Sequence, residues 1–84
     1  MDIVIVDDEP KIRNGLSRLL DGRGNWHVTG TYADGMDALK NMAFRRPDVI
    51  ITDIRMPEVN GLDMIDRMRE TDRDAYIIIL SGYS

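Results

Sequence analysis

The chain predicts an α/β fold built on a parallel sheet, and three observations carry that prediction. Short β-branched runs alternate with segments of helical period, the pattern of βα units rather than of a sandwich. Two of the runs, Ile3-Val4-Ile5-Val6 and Val49-Ile50-Ile51-Thr52, are β-branched and uninterrupted, and the second reads as a strand covered on both faces. Both runs end on acid, Asp7 and Asp8 after the first and Asp53 after the second.

The first strand is read over Asp2 to Val6. Pro10 suits the first helical position, because its missing N–H would have been unpaired there anyway. Ile12, Leu16, Leu19 and Leu20 fall on one face of the helix it starts, and Asp21-Gly22-Arg23-Gly24-Asn25 ends it, with glycine available for left-handed backbone. The second strand, roughly Trp26 to Thr31, mixes polar and apolar residues and is placed on a sheet edge. Asp34 caps the second helix, which carries Ala38, Leu39, Met42 and Ala43 inward until Arg45-Arg46-Pro47 stops it. The third strand, Asp48 to Thr52, is read as central. After the loop Ile54-Arg55-Met56-Pro57-Glu58-Val59, Asn60 caps a third helix with Leu62, Ile65 and Met68 as its inner stripe. Asp63 and Arg67 make an exposed i, i+4 pair on it. The fourth strand runs from Tyr76 to Leu80, and no repeat or linker interrupts the chain.

Composition bounds the function classes. The 84 residues make one domain, and a chain so short buries only a little over ~60% of the surface it exposes when unfolded, so its stability margin is thin. With 43% hydrophobic and 31% charged residues it is too apolar and too mixed in charge to stay disordered. The net charge of -4 has the wrong sign for tracking a phosphate backbone, so no nucleic-acid binding is expected of this segment. There is no cysteine, which excludes a disulfide framework and thiolate metal sites. The longest apolar stretch, Ala75 to Leu80, is too short to span a bilayer, and Met1-Asp2 opens into a strand without a basic leader. A cytoplasmic location is expected.

The chemistry lies in the acids. If the first and third strands are neighbours, Asp7, Asp8 and Asp53 converge at the carboxyl edge of the sheet, where open α/β folds hold ligands. Two unit charges ~4 Å apart at an effective dielectric of ~20 repel by about 4 kcal/mol, a large part of a small domain's stability. Such a cluster calls for a cation, and Mg²⁺ accepts hard oxygens while keeping some of its water. A carboxylate beside it can act as a nucleophile toward phosphorus. Either Asp7 or Asp8 alone reads as a helix cap; the combination carries the argument. Glu9 reads as a helix cap ahead of a metal contact, close enough to tune the charge of the site, His27 as a solvated surface residue, and Met36, Met42, Met64 and Met68 as core or rim packing. Arg45-Arg46 offsets a helix C-terminal dipole. Gly22 and Gly24 do not form a phosphate loop, because no strand runs into them.

Val6-Asp7-Asp8-Glu9-Pro10, Asp53-Ile54-Arg55-Met56-Pro57 with Gly61 eight residues past the aspartate, and Leu80-Ser81-Gly82 together resemble the receiver domain of bacterial two-component response regulators. The resemblance covers the whole chain. It implies a flavodoxin-like, doubly wound parallel sheet, here four strands in the order 2-1-3-4 with three helices, against five of each in the family. Residues 1–84 then make an incomplete receiver domain. It further implies Asp53 as phosphoacceptor, Asp8 as a metal ligand, and Asp7 holding Mg²⁺ directly or through water. The main-chain carbonyl of Arg55 completes the protein's share of the coordination, and the Ser81 hydroxyl, where many members have Thr, meets the phosphoryl oxygen. The phosphoryl would come from a sensor histidine kinase or a small phosphodonor. The lysine of the family's fifth strand has no counterpart, since the only lysines are Lys11 and Lys40, and Lys11 is not taken as a substitute. The motifs around Asp53 and Leu80 also resemble receivers joined to an AraC-type helix-turn-helix output, which would make the parent a transcription regulator.

Two other readings compete. A phosphatase of the haloacid-dehalogenase type also forms an aspartyl phosphate, but it looks for a second acid two residues on, where this chain has Arg55, and it has no place for the Asp7-Asp8 pair. An interaction module that works through a bare fourth strand is the other, because five consecutive large apolar residues at a sheet edge invite pairing and self-association.

Overall fold

The computed structural model describes residues 1–54, 60–72 and 74–80. Four strands, β1 (Asp2–Val6), β2 (His27–Tyr32), β3 (Val49–Asp53) and β4 (Tyr76–Leu80), alternate with three helices, α1 (Pro10–Leu20), α2 (Gly35–Met42) and α3 (Gly61–Arg69). The sheet is parallel throughout in the order β2-β1-β3-β4, as expected. β1 and β3 are central and pair without interruption from Ile3 opposite Val49 to Val6 opposite Thr52. β2 is an edge strand, and its register with β1 slips between Ile3 and Val4, so that Thr29 has no partner in the ladder.

Alternation along the strands sends side chains to two cores. On one face Val4, Val6 and Ile50 meet Ala38 and Met42 of α2 and Met64 and Met68 of α3. On the other face Ile3, Ile5, Val49 and Ile51 meet Leu16 and Leu20 of α1. The helix ends follow from local chemistry: Asp34 and Asn60 each accept the backbone N–H three residues on, from Asp37 and Asp63, as capping residues do. Beyond α1, Gly22 and Gly24 hold the left-handed backbone expected of the turn.

Four expected inner positions are corrected. Ile12 and Leu19 of α1 are exposed, Leu19 at 55%, and no residue of α1 is fully buried. A single helix lies on that face among the described residues, so only its central ridge, Leu16 and Leu20, is covered. In α3 Leu62 is exposed and Met64 points inward instead, because the contact with α2 turns the helix toward Met64 and Met68. Ala43, expected to be buried, is the exposed C-cap of α2. Arg45 does more than face a helix terminus: it reaches Asp2 at 3.0 Å and so ties the end of α2 to the start of β1.

Gly61 joins α3 to the tip of β3. Its N–H donates to the Ile54 carbonyl at 2.8 Å, and a Cβ built on it would lie 2.1 Å from the carbonyl oxygen of Asp53. That obstacle is backbone, so a larger residue must displace the acidic strand end itself. Gly15, within α1, would meet nothing within 4 Å. Gly61→Ala should therefore cost about 2–3 kcal/mol, whereas Gly15→Ala should gain about 0.5–1 kcal/mol from helix propensity. Urea unfolding of the two variants should move the midpoint in opposite directions, and a shift of the same sign for both would contradict this packing.

Candidate functional site

The acids stand at the tips of the two central strands. Asp7 continues β1 by one residue, its N–H donating to the Tyr32 carbonyl of β2 at 3.0 Å. Its side chain is 2% exposed, and Oδ1 accepts the Glu9 N–H at 2.8 Å, a local turn that carries the chain from strand to helix. Asp8, next in that turn, is exposed. Asp53 ends β3 half-buried, its Oδ1 accepting the Ile54 N–H at 2.7 Å. Behind it the fully buried Thr52 donates its hydroxyl to the Asp53 carbonyl at 2.9 Å.

One carboxylate oxygen from each of Asp7, Asp8 and Asp53 lies within 4.8 Å of the others. Octahedral ligands ~2.1 Å from an ion stand ~3.0 Å apart when adjacent and ~4.2 Å when opposite, so small side-chain rotations bring this set to the spacing that Mg²⁺ demands. The donors fit as well: all are hard oxygens, with no nitrogen or sulfur to favour a softer ion. The cost of assembling them shows at Asp7, whose carboxyl titrates above its usual 3.8. Burial is the chief cause, the hydrogen bond from Glu9 opposes it, and the negative charges of Asp53, Asp8 and Glu9 add to it.

The structure thus brings together the three acids singled out from sequence. Arg55 and Ser81, the other two site residues inferred from the resemblance, lie outside the described residues. Glu9 occupies the N-cap position of α1 but makes no capping bond with its side chain. His27 is exposed and pairs in register with Asp2, at the far end of the sheet from the acids.

Sequence reasoning overlooked Arg13. One turn into α1, its Nη1 donates to the main-chain carbonyl of Asp7 at 2.8 Å, and its own N–H donates to the Glu9 carbonyl at 3.0 Å. Contacts to main-chain atoms leave no residue pattern by which they could be recognised; the only cue was a cation four residues past Glu9.

Known proteins agree with this arrangement. A family model described as the response regulator receiver domain matches residues 3–84. The chain is similar to an uncharacterized response regulatory protein of Staphylococcus epidermidis, 42% identical over 83 residues, which are 96% of this chain and 32% of that protein. It is 40% identical to the transcriptional regulatory protein HptR of Staphylococcus aureus over 83 residues, again 96% of this chain and 32% of the relative. It therefore spans about a third of the length of these curated relatives. Among solved structures, the receiver domain of AraT, a response regulator from Geobacillus stearothermophilus, superposes with a TM-score of 0.90 at 32% identity, covering 98% of this chain and 64% of that one. With its sheet order, its acidic strand tips and a family match that runs over nearly its whole length, the chain belongs to the response regulator receiver domain family.

Proposed function

We propose that the chain is the phosphoacceptor module of a two-component signalling system, taking a phosphoryl group onto Asp53. The observation that carries this reading is the convergence of Asp7, Asp8 and Asp53 within 4.8 Å, with a buried Asp7 whose carboxyl is pushed upward by burial and by the neighbouring acids. Asp7, Asp8 and Asp53 would hold Mg²⁺, with the carbonyl of Arg55 as a further ligand by family resemblance. Bound there, the ion supplies the positive charge that lets an anionic nucleophile approach an anionic donor. The Ile54 N–H orients the Asp53 carboxylate. An Asp53 oxygen attacks phosphorus, forming an O–P bond as the P–N bond of a kinase phosphohistidine breaks, and the bonding pair leaves on the imidazole nitrogen. The Ser81 hydroxyl is proposed to meet the phosphoryl oxygen and pass the event to the end of β4.

In this reading the chain is a phosphoryl acceptor rather than an enzyme with a separate substrate. It forms the receiver part of a longer cytoplasmic protein, and a transcription-regulating output elsewhere in that protein is supported by the 40% identity to HptR. No helix among the described residues is long and apolar enough to cross a membrane. Incubation with a small phosphodonor and Mg²⁺ should add one phosphoryl group by intact mass, and the addition should vanish in Asp53→Asn or on chelation. A mass gain that survives Asp53→Asn would refute the assignment.

The Asp7 carboxyl gives a second check. Because it titrates above 3.8 when folded, the folded chain binds that proton more tightly than the unfolded chain. Metal-free stability therefore falls as pH rises from 3.8 through the folded value, and the whole penalty is present above it. Asp7→Asn keeps an acceptor for the Glu9 N–H and removes the charge. Without metal at neutral pH it should melt a few degrees higher than the wild type (about 4–8 °C per kcal/mol for a domain of this size), with the gap closing toward pH 3.8. Mg²⁺ should raise the melting temperature of the wild type and leave that of Asp7→Asn nearly unchanged. Equal Mg²⁺ stabilisation of both would remove Asp7 from the metal site.

A further observation supports self-association of the isolated chain. β4 is an edge strand without charge or proline; Tyr76 is 77% exposed, and Ile78 and Ile79 are exposed beside it. An edge of this kind templates pairing with another strand. Sedimentation at micromolar concentration should show species larger than a monomer, and replacing Ile78 with Lys should return the chain to a monomer. A monomeric wild type would end this reading.

A further inference from the structure

We propose that Arg13 is a positioning residue of the acidic site, holding the Asp7-Asp8-Glu9 turn so that Asp8 presents its carboxylate beside Asp7 and Asp53. The inference rests on the phosphoacceptor reading given above and adds a residue to it.

The carbonyl of Asp7 belongs to the peptide unit that leads into Asp8. Anchoring this oxygen fixes the peptide plane, and with it the direction in which Asp8 leaves the main chain. Arg13 Nη1 makes that anchor at 2.8 Å in a partly buried setting, where a hydrogen bond is less exposed to competition from water. The Arg13 N–H meets the Glu9 carbonyl at 3.0 Å as the first main-chain bond of α1, so the chain is held at the carbonyls before and after that of Asp8, the first of them by the Arg13 side chain. From the other direction the Glu9 N–H holds Asp7 Oδ1 at 2.8 Å. Asp8 is exposed, so burial does not fix its side chain and these main-chain bonds set where it leaves the turn.

The guanidinium meets a main-chain carbonyl rather than a carboxylate. Its effect is therefore geometric, and it should appear as metal affinity rather than as a change in the charge of the site. Groups that orient ligands from behind typically govern metal affinity by about 10–100-fold.

The test titrates Mg²⁺ into the full chain and follows the backbone amide NMR signals of Glu9 and Ile54, which donate to Asp7 and Asp53. Arg13→Met keeps the apolar stem and removes the donor; Arg13→Lys keeps a donor of similar reach. Arg13→Met should weaken Mg²⁺ binding about 10-fold or more, while Arg13→Lys should stay within about threefold of the wild type. The metal-free melting temperature of Arg13→Met should change much less than its affinity does, a separation that a merely structural role would not produce. Should Arg13→Met fail to fold, Arg13→Leu, which also lacks a donor, takes its place under the same thresholds. Wild-type affinity in the donor-free variant would overturn the role of Arg13 and leave the phosphoacceptor reading standing. Absence of any Mg²⁺ response in the wild type would overturn that reading and this role together.

Discussion

The site depends on the parallel pairing of β1 with β3. This ladder sets Val6 opposite Thr52, and so places the next residues, Asp7 and Asp53, side by side. A register slip by one residue would move one tip ~3.3 Å along its neighbour and turn every inward side chain of that strand outward. Ile5 and Ile50, both fully buried, resist such a slip. The contact that fills the core is thus the contact that crowds the charges, and neither can be relaxed without the other. A domain of this size has a small margin of stability, and it spends part of that margin holding carboxylates together.

The rest of the molecule is asymmetric about this central pair. α2 and α3 cover one face of the sheet and touch each other, while among the described residues α1 is the single helix on the other face, with Ile12 and Leu19 in solvent. The edges differ as well. β2 carries a slip in its ladder and polar residues, features that discourage pairing with another strand, whereas β4 is straight, apolar and uncharged. Chemistry is concentrated at the carboxyl ends of the strands, and the opposite pole is tied by ordinary means: Asp2 and Asp48 exchange backbone and side-chain hydrogen bonds, and Arg45 bridges to Asp2.

The strands and the three acids were legible because their signals are local. A run such as Val49-Ile50-Ile51 has few alternatives to a buried strand, and an acid that ends it stands at the strand tip whatever the rest of the chain does. Caps at Asp34 and Asn60 were legible for the same reason. Helical period was less informative. It shows which residues share a face, but not how wide a stripe the neighbouring layer covers, and this is why Ile12, Leu19 and Leu62 were placed inward and lie exposed. Gly61 was noticed as part of a motif, but its physical reason, the Asp53 carbonyl that fills the space of a side chain, exists only in three dimensions.

Arg13 and Gly61 follow one logic from opposite sides of the crevice. Both act on main-chain carbonyls at the acidic tips, Asp7 in one case and Ile54 with Asp53 in the other. A cation-binding site cannot be stiffened by pairing its carboxylates with arginine, because each such pair would occupy oxygens that the ion needs and would oppose its binding by like charge. Holding the backbone avoids that conflict: the geometry is set from behind, and the oxygens of Asp8 keep their capacity to accept. Thr52 repeats the device by donating its buried hydroxyl to the Asp53 carbonyl. The tips of β1 and β3 are thus braced through peptide groups while the side chains of Asp7, Asp8 and Asp53 carry the charge, which gives the proposed cation site a defined shape.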